Sequence, residues 1–127
     1  SYPVAFNGHN RITLPKSIRQ AIGLEPTVIL MLGDNCLWGF SRQEFDQEAK
    51  KRLDVSLWEE AGRVGRRQFF ATAAECQLDS HSRMIIPADL IKQADLGSEM
   101  VLIGAGDHFE LWNGTLWSQM VKVNSYK

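Results

Sequence analysis

Two arginines, Arg11 and Arg83, stand 72 positions apart in a chain of 127 residues, each at the end of a polar stretch and followed by a β-rich run and a proline. The first stretch is Asn7-Gly8-His9-Asn10-Arg11-Ile12-Thr13-Leu14-Pro15, and the second is Asp79-Ser80-His81-Ser82-Arg83-Met84-Ile85-Ile86-Pro87. A guanidinium carried on a turn can bond phosphate oxygens, or the O6 and N7 edge of guanine, through two parallel N–H groups. A carboxylate four residues earlier can hold that guanidinium, and it then cancels the charge that an anion would meet. Asp79 can do this to Arg83, whereas Asn7 cannot do it to Arg11. The competing reading of Arg11 is a solvated side chain or an ion pair within the protein.

Other chemistries find less support. Ser80 beside His81, or Cys76 with a distant histidine, could be imagined as nucleophile and base. Neighbours on a strand or turn seldom face each other, and nothing supplies an oxyanion hole, so no catalytic residue is expected. Two cysteines and three histidines are scattered without ligand spacing, so neither a metal nor a cofactor is expected. Cys36 and Cys76 read instead as small buried residues. No apolar run approaches the ~20 residues that span a bilayer, and no signal-peptide pattern opens the sequence. Two cysteines cannot form a disulfide framework, which points to a reducing cytoplasm.

The whole chain carries a net charge of −1, with 44% apolar and 23% charged residues, as an ordinary globular protein does. Its length fits one compact domain or two small interlocked halves. The distribution of charge says more than the sum. Residues 1–24 hold Arg11, Lys16 and Arg19 with no acid, and residues 61–74 hold Arg63, Arg66 and Arg67 with none. Residues 79–127 set Arg83, Lys92, Lys122 and Lys127 against six acids. A binding footprint is a local excess of this kind, although a solvated face gives the same count.

The elements that must position these residues come from an internal repeat. Residues 7–45 align with 79–117 without a gap, and five of the 39 pairs are identical, Leu24/Leu96 among them. Apolar residues at 12, 14, 18, 24, 28, 29, 30, 31, 37, 40 and 45 all find apolar partners 72 later. Each copy predicts a short strand (Pro3 to Phe6; Glu75 to Leu78), a polar turn and the strand after the arginine. Next comes a short helix with Pro15 or Pro87 in its first turn, the first of these stopped by Gly23. Val28–Met31 and Met100–Ile103 read as buried strands, each joined by a glycine-containing turn to a fourth (Cys36–Phe40; His108–Trp112). Between the copies, Ser41-Arg42-Gln43-Glu44 matches a capping box, and Phe45, Ala49 and Leu53 then recur at four-residue spacing. A second helix is predicted from near Asp54 to about Thr72, its stripe formed by Val55, Trp58, Ala61, Val64 (or Gly65) and Phe69. Thr115–Val123 reads as a last helix with Leu116, Trp117, Met120 and Val121 inward.

The doubled arginine turn, D-x-x-x-R in its second copy, with its strand and proline resembles the MraZ family, bacterial transcriptional regulators of the AbrB/MazE/MraZ-like superfamily. Asp34-Asn35-Cys36-Leu37-Trp38, Phe69-Phe70-Ala71, Glu75-Cys76-Gln77-Leu78-Asp79 and Phe109-Glu110-Leu111-Trp112 also look like the family, so the likeness covers nearly the whole chain. It implies an α+β, mainly β fold of two interlocked AbrB-like repeats, a swapped-hairpin double-split β-barrel with a helical insert and a C-terminal helix. The division would be residues 1–45, 46–74 and 75–127. The resemblance further implies a cytoplasmic, nucleoid-associated protein that binds double-stranded DNA at short direct repeats in the promoter of the division and cell-wall gene cluster. It would do so as a ring-shaped homo-oligomer, with no membrane and no small-molecule substrate. The alternative is an antitoxin-like protein-binding module of the same fold. Such modules usually add a disordered tail, and the helical insert and second repeat favour the regulator.

The chain departs from the family pattern at Asn7, where the family has aspartate. It also has Asn10 and Ser82 in place of the glycine before the arginine, and His9 and His81 in place of the lysine before that. Asn10 tolerates a left-handed backbone and Ser82 does so less readily, which predicts a different shape for the second turn. By charge, the first copy is expected to read DNA, with Arg11 as anchor, Asn7, His9, Asn10 and Thr13 beside it, and Lys16 and Arg19 on phosphates. Asp79, His81 and Arg83 of the second copy are expected to be chiefly structural. Imidazole titrates near pH ~6.5, so His9 predicts tighter binding at about pH 6 than at about pH 8, unless it is simply a neutral turn residue. Arg63, Arg66 and Arg67 would meet phosphates or, the favoured reading, acids across a subunit interface. Trp38, Trp58, Trp112 and Trp117 are expected in the core or at subunit contacts.

Overall fold

A computed structural model describes residues 1–23 and 26–124 of the chain, Asn124 by its backbone alone. Leu24 and Lys127, both used in the sequence reading, lie outside the described residues. The order strand, strand, helix, strand, strand occurs twice. First come β1 (Tyr2–Val4), β2 (Arg11–Thr13), α1 (Lys16–Ile22), β3 (Thr27–Leu32) and β4 (Leu37–Ser41). The helices α2 (Arg42–Leu53) and α3 (Glu60–Phe70) follow. Then come β5 (Ala74–Gln77), β6 (Arg83–Ile85), α4 (Ala88–Gln93), β7 (Met100–Gly104) and β8 (Phe109–Asn113), with α5 (Gly114–Asn124) after them.

The strands of one set are completed by strands of the other. β1 lies against β7 with Tyr2 opposite Leu102, and β5 lies against β3 with Cys76 opposite Val28. The result is a six-stranded antiparallel sheet in the order β1-β7-β8-β4-β3-β5, together with a separate two-stranded ribbon of β2 and β6. In the ribbon, Ile12 stands opposite Met84, and both are buried to within 1%. Side chains alternate across a strand, so the inward pair leaves Arg11, Thr13, Arg83 and Ile85 on the outer face. The inward side chains join Val28, Leu30, Leu37, Leu102, Phe109 and Leu111 in the main core. Each such residue contributes about 1.5–3 kcal/mol by leaving water, and this holds the ribbon on the sheet. Phe109 lies where a Cβ on Gly39, its cross-strand neighbour, would have to be, so only glycine fits there.

The opposite face of β3 and β4 forms a second core. Ile29, Met31 and Phe40 meet Phe45 of α2 and Phe69 of α3, whose rings stack at 5.1 Å. Ser41 caps α2 by accepting the Glu44 N–H at 3.1 Å, as its sequence predicts. On the same side of β8, His108 Nδ1 lies 2.7 Å from Asp107 Oδ1 and Nε2 3.2 Å from Glu110 Oε2, with its ring stacked on Phe40. Glu110 and then Asp107 raise the His108 pKa above 6.5, while His108 lowers those of both carboxylates.

Several local expectations need correction. Pro15 and Pro87 sit one residue before their helices, with ψ near 136° and 135°, rather than in the first turn. The second helix begins at Glu60, not near Asp54, so Val55 and Trp58 belong to the loop before it. Gly23 does stop α1 in a left-handed conformation, and both cysteines are buried.

Candidate nucleic-acid interface

The two arginine turns close alike but differ at their second residue. The Asn7 N–H donates to the Arg11 carbonyl at 2.8 Å, and the Asp79 N–H donates to the Arg83 carbonyl at 2.9 Å. Asn10 and Ser82 both take the left-handed conformation, with φ of 58° and 60°. The expected difference in shape lies elsewhere in the turn: Gly8 is left-handed with φ of 85° where Ser80 is not, and the second turn adds a bond from the Ser82 N–H to the Asp79 carbonyl at 3.1 Å, while Ser82 itself keeps the left-handed step. Closure of the turn outweighs the serine's own preference, which opposes this geometry by about 1–2 kcal/mol.

Charge separates the turns. Asp79 Oδ1 accepts the Arg83 N–H at 3.0 Å and the His81 N–H at 2.8 Å, and Oδ2 accepts Arg83 Nε–H at 2.7 Å. These bonds, the Arg83 backbone N–H above all, lower the Asp79 pKa to about 2. Arg83 therefore presents a compensated charge. Arg11 Nε–H donates at 3.0 Å to two neutral oxygens of Asn7, the main-chain O and Oδ1, while Asn7 Nδ2 donates to Thr13 Oγ1 at 2.9 Å. The guanidinium lies over Gly8, whose φ of +85° and 3.4 Å clearance from Arg11 Nη2 suit glycine. Arg11 is thus oriented as firmly as Arg83 but keeps its full charge. Among the described residues, no carboxylate pairs with it.

The antiparallel ribbon regroups the remaining candidates. Arg11 lies opposite Ile85 and Thr13 opposite Arg83, so both arginines share the outer face on a diagonal. Lys16 and Arg19 do not stand beside their own turn but beside the other one. Arg19 Nη1 donates to Ser82 Oγ at 2.7 Å, and an open groove runs between Pro15, Lys16, Arg19, His81 and Ser82 with no acid in its lining. His9 and Asn10 stay at the first turn, 3.3 Å apart through their side chains. Ser80 Oγ lies 3.3 Å from His81 Nδ1, contrary to the expectation that they face apart, and both side chains are exposed to water. Sequence reasoning missed Ile85, which is 62% exposed in the middle of this face. The alternation of Met84 and Ile86 inward was the signal that could have found it.

Arg63 and Arg66 donate to main-chain carbonyls of the α2–α3 loop. Among the described residues, no group of His, Cys, Asp and Glu could hold a metal ion, and no helix is long and apolar enough to cross a membrane.

Comparison with known proteins gives a consistent picture. A family model described as "MraZ protein, putative antitoxin-like" matches residues 2–67 and again residues 69–126. A transcriptional regulator MraZ of Mycoplasmoides gallisepticum is 36% identical over 125 residues, covering 98% of this chain and 87% of its own length. Those of Lactiplantibacillus plantarum and Caldicellulosiruptor saccharolyticus are each 32% identical, covering 91% and 93% of this chain and 81% and 82% of their own.

Proposed function

The chain belongs to the MraZ family, whose relatives named above are transcriptional regulators, and from that premise we propose that it binds double-stranded DNA sequence-specifically through the outer face of the β2–β6 ribbon. The role is regulatory rather than enzymatic, and it is exercised in the cytoplasm on the nucleoid. Its target is the set of short direct repeats in the promoter of the division and cell-wall gene cluster. One observation carries the reading: Arg11 projects from a rigid turn with its charge uncompensated. A two-stranded ribbon is narrow enough to enter the major groove, where a bidentate arginine discriminates guanine by about 1–3 kcal/mol. Asn7, His9, Asn10 and Thr13 flank that anchor, and Lys16 and Arg19 hold phosphates from the groove beside the second turn. Asp79, His81 and Arg83 shape the second turn.

The pairing of β1 with β7, β3 with β5 and β2 with β6 supports a swapped-hairpin double-split β-barrel. It would comprise repeats at 1–45 and 75–127 around an insert at 46–74. One protomer offers few basic contacts, so its affinity alone is low and steeply salt-dependent. A ring-shaped homo-oligomer engaging several repeats at once supplies the rest by avidity. The test is a salt titration of binding to DNA from upstream of the gene's own operon, with Arg11→Ala and Arg83→Ala side by side. Loss with Arg11→Ala and retention with Arg83→Ala is the expected outcome. The reverse would reassign the reading turn, and no binding by the native protein at low salt would leave the protein-binding, antitoxin-like alternative.

A further inference from the structure

Ile85 is the one apolar side chain among the four that the β2–β6 ribbon turns outward, and it is 62% exposed. A lone apolar residue at a surface is ordinary. What sets Ile85 apart is its company. It stands directly opposite Arg11, and the Ile86 N–H donates to the Asn10 carbonyl at 2.8 Å, so the backbone beside it is tied to the first turn. Its neighbours Met84 and Ile86 are buried to within 1% and hold the strand down on the core. The branch at the Ile85 Cβ restricts χ1, so its outward methyl groups keep a fixed place.

Thr13 occupies the equivalent position 72 residues earlier and gives the contrast. It stands opposite Arg83, its Oγ1 accepts from Asn7 Nδ2 at 2.9 Å, and Arg83 is held by Asp79 at 2.7 Å. One end of the ribbon thus presents an engaged hydroxyl and a compensated charge. The other presents an uncompensated guanidinium beside bare hydrocarbon. These two groups suit different partners. In the major groove the arginine fits the O6 and N7 edge of guanine, whereas the thymine C5-methyl is the one apolar group that any base presents there. Set against the amino group of cytosine or adenine, Ile85 would strip water from a donor and return no hydrogen bond. Cross-strand neighbours hold their Cβ atoms about 4.5–5.5 Å apart, and successive bases stack about 3.4 Å apart, so the two contacts fall within about two base steps.

We propose that Ile85 is a specificity-determining residue, packing on the C5-methyl of a thymine close beside the guanine that Arg11 reads. This rests on the ribbon reading above and adds a second base to it. The test follows binding by fluorescence anisotropy to duplexes from upstream of the gene's own operon. Thymines are replaced one at a time by uracil, which lacks only that methyl, and guanines one at a time by deazaguanine, which lacks the N7 acceptor. For the native protein, one uracil replacement should weaken binding roughly threefold to fivefold, as burial of a single methyl group predicts. It should lie beside a guanine whose N7 contributes to binding by the native protein but not by Arg11→Ala. Ile85→Ala should bind thymine and uracil duplexes equally at that position, and Ile85→Val should keep part of the difference. Position 85 is exposed, so neither substitution is expected to unfold the chain. A methyl effect that survives in Ile85→Ala, or Arg11-dependent binding with no methyl effect at any thymine, would overturn the role of Ile85 and leave the ribbon reading standing. So would an Ile85→Ala variant whose mass in sedimentation equilibrium differs from the native mass, since the side chain would then belong to a subunit contact. No binding by the native protein at low salt would overturn both.

Discussion

The turns that lead into β2 and β6 close through matching backbone bonds and place a left-handed residue at the same step, yet one arginine faces an amide and the other a carboxylate. The comparison separates two properties usually carried together. The shape of the turn follows from its closing hydrogen bond and from the strand that must begin at the arginine. The charge it displays follows from a single group, the amide nitrogen of Asn7 against the second oxygen of Asp79. A duplicated unit can therefore keep the closing bond of its turn and change the charge it displays by one substitution.

The largest effect expected from this division is on Arg11. Arg11→Ala should cost about 1–3 kcal/mol of specific binding, roughly fivefold to more than a hundredfold in affinity, and reduce the salt slope by about 1. Arg83→Ala should leave that slope nearly unchanged, as measured by fluorescence anisotropy across a salt series. Asn7→Asp sharpens the comparison by making the first turn resemble the second. Its exposed ion pair, at about 0.2–1 kcal/mol, should weaken binding by a few-fold at low salt and less at high salt. Asp79→Asn runs the other way and should tighten binding slightly by freeing the charge of Arg83. It should also change acid unfolding. The Asp79 carboxylate, lowered from 3.8 to about 2, contributes stability that is complete above pH 3.8 and lost as pH falls through about 2. The asparagine variant should lack that component in an acid titration followed by circular dichroism.

The smallest effect concerns another pair at the same offset, Cys36 and His108. Burial pushes the Cys36 thiol up to about 12, so it stays neutral. His108 has a raised pKa, so its contribution is complete below pH 6.5 and fades as pH rises through the folded value. Melting temperature should fall for the native chain between about pH 6 and about pH 9, and His108→Gln should flatten that decline.

The offset of 72 was legible because apolar residues recur in register, and each arginine turn with its strand falls where that register puts it. What the pattern could not show was which strand pairs with which. Alternation assigns Ile12 and Met84 to an inner face but is silent about their being partners, and so about Arg11 and Arg83 sharing the outer one. The same gap hid that the antiparallel crossing brings Lys16 and Arg19 beside the opposite turn. Val55 and Trp58 looked like a helical stripe because their spacing fits one. Their chain instead gives its carbonyls to Arg63 and Arg66, and no local propensity encodes that choice.

The pairing of Tyr2 with Leu102 has a consequence for synthesis. During synthesis β1 finds its neighbour only after a hundred more residues have followed it, and closing so long a loop is slow. Until then the early half carries bare strand edges, and the β2–β6 ribbon is itself missing until Arg83–Ile85 have been made. A nascent or prematurely terminated product is thus incompetent by construction, and the cell's exposure is to its clumping rather than to its misplaced activity.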